Sequence, residues 1–239
     1  MKSKAIFTLQ HNEQFYLPIW IKWYGKTFKP EDMYILAHNT TEPTLSMLKK
    51  AESDGINVIY LETDVIFDHE WLTATVHQKQ RELLERYTWV MYTDCDELVE
   101  PTDCTLEEFI ENAEEDAYRC DGFEIQEKTM YRSIGFCKTL LTRVALTYVH
   151  GYHNAIPVFP IYNTLRLYHI HKIDFQQAWE RNQRIAAENW DAFALANRLG
   201  TQNSIAVEQD FRDWFNRDIP TGPGEVMEVP DELWKKILG

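Results

Sequence analysis

The chain has 239 residues, enough to bury a sizeable core, and its 44% hydrophobic, 26% charged and 13% aromatic composition excludes a disordered or collagen-like polymer. With 38 acidic residues against 24 Lys and Arg, the formal charge is −14, which repels nucleic-acid backbones and anionic lipid at long range and favours small-molecule partners. The four cysteines lack C-x-x-C spacing and make no disulfide framework, no apolar run approaches the ~18 residues of a transmembrane segment, and the N-terminal apolar run breaks at Gln10-His11-Asn12, so a cytoplasmic location is expected.

Residues 5–9 read as a first strand and 13–24 as a helix whose Phe15, Trp20, Trp23 and Tyr24 make a core-facing aromatic stripe, with Pro18 early enough to be tolerated. A strand at 33–37, a helix over 44–53 ended by Gly55 and a strand at 57–61 complete a β-α-β-α-β run, the pattern of a largely parallel sheet. A longer helix over about 70–86 leads to a strand at 89–92, which runs directly into Thr93-Asp94-Cys95-Asp96-Glu97. From 122 to 149, segments rich in β-branched and aromatic residues extend the sheet, with antiparallel members expected. After His169-Ile170-His171-Lys172 the pattern turns helical over 175–199 and 204–215; a turn-rich stretch at 219–224 precedes a last helix at 231–238. Asp174 is placed to cap the helix starting at Phe175, and Trp179, Trp190, Phe193 and Trp214 are expected to pack the C-terminal helices. The predicted organisation is an α/β domain over residues 1–172 and a helical extension over 173–239.

Ligands of open α/β sheets bind beyond the carboxyl ends of the strands, where Asp94, Asp96 and Glu97 stand. If the chain turns there, two carboxylates one residue apart can converge on one hard cation; the competing reading makes them solvated turn residues ahead of the helix near Thr105. His150, His153, His169 and His171 form a local enrichment, but without an H-E-x-x-H signature or a nearby cysteine a dedicated zinc site is disfavoured. There is no Walker loop, G-x-G-x-x-G or G-x-S-x-G motif. Lys138 and Lys172, each beside an apolar or histidine-rich segment, could offset diphosphate charge.

The segment Tyr87-Thr88-Trp89-Val90-Met91-Tyr92-Thr93-Asp94-Cys95-Asp96-Glu97-Leu98 resembles the "ydwvlf-D-x-D-E-f" signature of family-2-like glycosyltransferases with the GT-A fold. Gln10-His11-Asn12-Glu13 and the aromatic helix behind it are similar to the opening of that group, and Ile35-Leu36-Ala37-His38-Asn39-Thr40-Thr41-Glu42 sits at its second-strand motif, with His38 and Glu42 standing in for the usual acids. Gly151-Tyr152-His153 and Leu167-Tyr168-His169-Ile170-His171 resemble its G-x-H and late-histidine segments, so the likeness covers about residues 5–175. The resemblance implies a Rossmann-like mixed sheet flanked by helices, a nucleotide-diphosphate sugar donor and Mn2+ or Mg2+ as cofactor. By carry-over, Asp96 binds the metal, Asp94 the ribose or the metal through water, Glu97 orients them, and His169 or His171 completes the metal site. Asn12, His38 and Lys138 fall on the donor side, while Glu124, chosen over Asp121 and Glu127 as base, and His153 fall on the acceptor side. The acceptor, whether glycan, lipid-linked, small molecule or modified nucleic acid, is left open. Rival readings are another metal-dependent nucleotide or phosphate enzyme, such as a nucleotidyltransferase or phosphoesterase, and a catalytically inactive nucleotide-sugar-binding protein.

Overall fold

The computed structural model describes residues 3–149, 152–197, 205–222 and 224–239. Its first half alternates strands and helices: β1 (Lys4–Gln10), α1 (Tyr16–Tyr24), β2 (Met33–His38), α2 (Thr44–Ser53), β3 (Asn57–Leu61), α3 (His69–Leu84) and β4 (Trp89–Tyr92). These strands pair in parallel in the order β3-β2-β1-β4. Successive side chains of a strand point to opposite faces, and here both faces are apolar. Ile6, Met33, Ile35 and Met91 pack on one side with Trp20 of α1 and Leu48 of α2. Ala5, Phe7, Leu36 and Val90 pack on the other with Val76 and Leu83 of α3.

Beyond β4 the sheet becomes mixed. The chain continues through β5 (Glu97–Pro101), α4 (Leu106–Asn112), β6 (Ala117–Gln126), β7 (Thr129–Arg132) and β8 (Thr139–Thr142). β8 joins the antiparallel edge of β4 and is followed across the sheet by β6 and β7. After the small hairpin of β9 (Thr147–Tyr148) and β10 (Ala155–Ile156), the long β11 (Ile161–Lys172) pairs in parallel with β6 and antiparallel with β5. The expected mixed sheet flanked by helices is thus observed.

The C-terminal portion comprises α5 (Phe175–Ala186), α6 (Ala192–Ala196), α7 (Glu208–Arg217), β12 (Val226–Glu228) and α8 (Asp231–Leu238). Asp174 caps α5 through the Gln177 amide at 2.9 Å, as its position predicted. The helix expected over 175–199 is broken after Ala186, because Trp190 folds back: its Nε1 donates to Ile185 O at 2.9 Å while its ring stacks on Phe67 at 4.5 Å. Trp179 and Trp214 pack as expected around Phe211 and Phe215, whereas Phe193 is half exposed. β12 adds an edge strand beside β7. Residues 198–199 and 204, at the ends of predicted helices, and His150 and Gly151 of the predicted histidine segment lie outside the described residues. Among the described residues no helix is long and apolar enough to cross a membrane, and Cys95, Cys104, Cys120 and Cys137 are free.

Candidate metal centre

The carboxyl end of β4 is prepared by packing from α1. Trp20 Nε1 donates to Thr93 Oγ1 at 2.7 Å, and Tyr24 Oη donates to Glu97 O at 3.0 Å, so the aromatic helix holds both ends of the Asp94–Glu97 turn. The Glu97 amide donates to Asp94 O at 3.1 Å to close that turn. The two aspartates therefore do not alternate along a strand, yet neither do they converge. Asp94 Oδ1 accepts from Tyr92 Oη at 2.7 Å and its Oδ2 from Lys138 Nζ at 2.8 Å. Asp96 instead turns towards β11, where its carbonyl accepts from the Ile170 amide at 2.8 Å.

Sheet register supplies the rest. His169 and His171 are two residues apart on β11 and so share a face; their rings stack at 5.7 Å. Asp96, His169 and His171 each offer a ligand atom, and these atoms lie within 4.8 Å of one another. His171 Nδ1 is 3.2 Å, and His169 Nε2 3.8 Å, from Asp96 Oδ2. In the parallel β6–β11 pairing His169 is opposite Glu124, and their side chains meet at 3.0 Å between Nδ1 and Oε2. A carboxylate only accepts, so this contact places a proton on His169 Nδ1 and turns Nε2 towards Asp96. Phe136 stacks on the His169 ring at 4.3 Å.

Electrostatics follow from burial and neighbours. Burial opposes ionisation of Asp96, but the hydrogen bond from His171 and the positive charges of His169 and Arg181 hold its carboxyl well below the usual range. Burial works against the charged form of His169 as well; the Glu124 carboxylate, with Asp96 and Glu97, outweighs it and lifts the imidazole to about 9. Burial lowers His171. Burial raises Glu97 to about 7 against the pull of Lys138, whose Nζ lies 2.5 Å from Glu97 Oε1. Lys138 itself is raised, because Asp94 and Glu97 together overcome its own burial. It is thus an internal counter-ion to two carboxylates.

The remaining expected residues are spread around this centre. Glu124 is 1% exposed and turned onto His169, while Asp121 is paired with Arg132 at 2.7 Å. His153 sits 5.7 Å from Phe136 with a buried Nδ1 that has no hydrogen-bond partner, and burial with nearby Lys138 lowers it to about 3. Asn12, at φ 54°, uses Oδ1 to accept from the Thr41 amide at 2.9 Å and so ties the β1 loop to the β2 loop. His38 does not line the cavity of about 420 Å³ that Asn39, Thr40, Thr41, Glu62, Thr63 and Asp64 form at the carboxyl ends of β2 and β3, but it bonds one of these residues, Thr63. Its Nε2 is 2.7 Å from Thr63 Oγ1, which spends its proton on Val65 O at 2.6 Å, so His38 is the donor. With neighbouring strands about 4.8 Å apart, two to three strand spacings put this cavity roughly 10–14 Å from the end of β4. Lys172 Nζ donates to Phe215 O at 2.8 Å, next to the carboxyl end of α7, and is committed there.

Sequence reasoning did not find Arg181 of α5. Its Nη1 is 3.0 Å from His171 Nδ1 and its Nη2 3.8 Å from Asp96 Oδ2, while Nε and Nη2 grip Glu13 at 2.6–2.9 Å. The available signal was local: Arg181 lies between Ala178 and Ile185 on the buried stripe of its helix, where an unpaired charge is not tolerated.

No protein-family profile matches the chain, and no curated protein matches it significantly. Among solved structures, it is similar to glucosyl-3-phosphoglycerate synthase from Mycobacterium tuberculosis in complex with Mn2+, UDP and phosphoglyceric acid, at 13% identity and TM-score 0.33 over 52% of this chain and 43% of that chain. The same enzyme with Mg2+ and UDP matches at 13% identity and TM-score 0.33, over 52% of this chain and 44% of that one. A mycobacterial protein matches at 12% identity and TM-score 0.34, over 52% and 41%. The chain therefore spans less than half the length of these structures.

Proposed function

We propose that the chain is a glycosyltransferase of the GT-A kind, moving a sugar from a nucleoside-diphosphate sugar to an acceptor with the help of a divalent cation. The observation that carries this reading is the convergence of Asp96, His169 and His171 within 4.8 Å beside the carboxyl end of β4, in an open sheet whose β2 and β3 ends border a polar cavity. The donor set fits a divalent ion: one carboxylate oxygen and two imidazole nitrogens, with the tautomer of His169 fixed by Glu124, suit Mn2+ better than Mg2+. When bound, such an ion supplies Lewis-acid stabilisation of the charge that builds on the diphosphate oxygens as the bond to the anomeric carbon breaks.

This chain's own residues do the rest. Glu124 acts through His169 as a positioning residue, holding a proton on Nδ1 and so directing Nε2 to the centre. Lys138 pairs with both Asp94 and Glu97 and offsets part of the repulsion among three acids within four residues. Asp94, about a third exposed, keeps an edge free for sugar hydroxyls of the donor. The cavity at Thr40, Glu62 and Asp64 receives the nucleoside, with its carboxylates accepting from ribose or base donors. His153, kept neutral by burial and by Lys138, is assigned to the acceptor side. On this reading residues 1–172 carry the donor site and residues 173–239 complete it with Arg181.

A thermal-shift panel of UDP, GDP, CMP and TDP sugars with and without Mn2+, repeated on Asp96→Ala, tests the reading. Ligand at 100 times its dissociation constant stabilises by about 2.7 kcal/mol. A Mn2+-dependent response to one nucleotide sugar, lost in the variant, is the expected result. A folded protein silent across the whole panel would overturn it, and turnover of a nucleotide without sugar transfer would favour a different phosphate enzyme.

A further inference from the structure

The Arg181–His171 contact is at odds with the Asp96–His171 contact. Arg181 can only donate, so at 3.0 Å His171 Nδ1 must present a lone pair to Nη1. Asp96 Oδ2, 3.2 Å from the same nitrogen, can only accept and requires a proton there. One nitrogen cannot serve both. The guanidinium also stands 3.8 Å from Asp96 Oδ2, an oxygen of the ligand cluster. Its anchorage is one-sided: Nε and Nη2 form a bidentate fork on Glu13, a residue 7% exposed, while Nη1 alone reaches His171. A second cation entering among Asp96, His169 and His171 meets a like charge at contact range and competes for the His171 lone pair.

We propose that Arg181 is a resident counter-cation of this centre, which a divalent ion displaces from His171 and whose freed Nη1 edge then pairs with the anionic diphosphate on that ion. Metal and diphosphate consequently bind cooperatively: the ion frees the Nη1 edge that the diphosphate uses, and the diphosphate offsets the charge that the ion meets from Arg181. Glu13 keeps the guanidinium in place during the exchange and cancels its charge towards the protein interior. The proposal rests on the metal-centre part of the function given above and is independent of sugar transfer.

The test is the binding of Mn2+ alone, followed by the free-ion paramagnetic resonance signal, and of inorganic pyrophosphate to the Mn2+-loaded protein, with the Mn2+–pyrophosphate complex in solution accounted for. The informative variant is the double replacement Glu13→Gln with Arg181→Gln, which removes the ion pair as a unit and leaves no bare carboxylate to attract the metal. It is expected to bind Mn2+ alone at least tenfold more tightly than the unaltered protein, and pyrophosphate at least tenfold more weakly. Unchanged or weaker Mn2+ affinity in the double variant overturns the proposal. Should that variant not fold, the unaltered protein still decides: pyrophosphate must raise its Mn2+ affinity, and Arg181→Lys, which keeps the charge without the fork, must reduce that coupling; absence of either effect overturns the proposal. Asp96→Ala separates the two levels of the argument. If it binds Mn2+ as well as the unaltered protein does, the metal centre itself falls; if it loses Mn2+ while the double variant behaves as the unaltered protein does, only the role of Arg181 falls.

Discussion

Glu124 and His169 face each other across the parallel β6–β11 ladder, and their side chains meet at 3.0 Å in a site that is closed on one side by the Phe136 ring. The pair converts a strand register into a histidine tautomer. Removing the carboxylate frees the ring to rotate and to place its proton on either nitrogen. Glu124→Ala is therefore expected to weaken Mn2+ binding by about 10- to 100-fold, with Glu124→Gln, whose amide oxygen still accepts the Nδ1 proton, recovering part of the loss. Calorimetric titration of Mn2+ into the two variants checks this, alongside circular dichroism to show that both are folded.

Lys138 is 2% exposed and lies between Asp94 and Glu97. Replacing it by Met keeps most of the volume and leaves two acids facing each other without their counter-ion. Breaking a buried pair from one side costs about 3–5 kcal/mol, which urea denaturation at pH 7 should show directly. Adding Glu97→Gln removes one of the stranded charges and should return part of the stability. A neutral effect of Lys138→Met would mean that the ammonium is not the counter-ion of this turn.

His38 is 1% exposed and is lowered to about 4, chiefly by burial and secondarily by His11. The unfolded chain takes up the proton at about pH 6.5 and the folded one only near 4, so between these values the unfolded state binds more protons. Stability is accordingly full above pH 6.5 and is lost as the pH falls towards 4, by about 3 kcal/mol for this residue. His38→Gln should reduce the stability difference between pH 6.5 and pH 4 by that order. Denaturation curves at the two pH values provide the measurement, and an unaltered slope would show that His38 titrates normally.

Much of the scaffold was legible in the sequence because it depends on local patterns. Ile6, Phe7, Ile35 and Met91 sit in short apolar runs, and the alternation of those runs with amphipathic stretches foretells a parallel sheet with helices on both sides. The turn after β4 and the two late histidines stood out because the acids follow directly on a strand end, where open α/β sheets bind ligands, and because both segments resemble motifs of one family. What was hidden depends on residues far apart in the chain. That Asp94 is committed to Lys138 follows from a meeting across 44 positions, and the Glu13–Arg181 pair spans 168. The role of Glu124 needed the β6–β11 register, which no single segment specifies. The break after α5 likewise comes from Trp190 finding Phe67, a tertiary contact that overrides the helical periodicity of the segment.

The central claim is that Asp96, His169 and His171 hold a divalent ion on which a nucleoside diphosphate rests. Pulsed paramagnetic resonance of the Mn2+-loaded protein with UDP reads both halves at once, through nitrogen couplings from imidazole and phosphorus couplings from the diphosphate; GDP, CDP and TDP extend the test to the other nucleotides. The account predicts phosphorus coupling with one of these nucleotides together with nitrogen coupling, the latter diminished in His169→Asn and in His171→Asn. Mn2+ bound without nitrogen coupling, or without phosphorus coupling for any of the four, would contradict it.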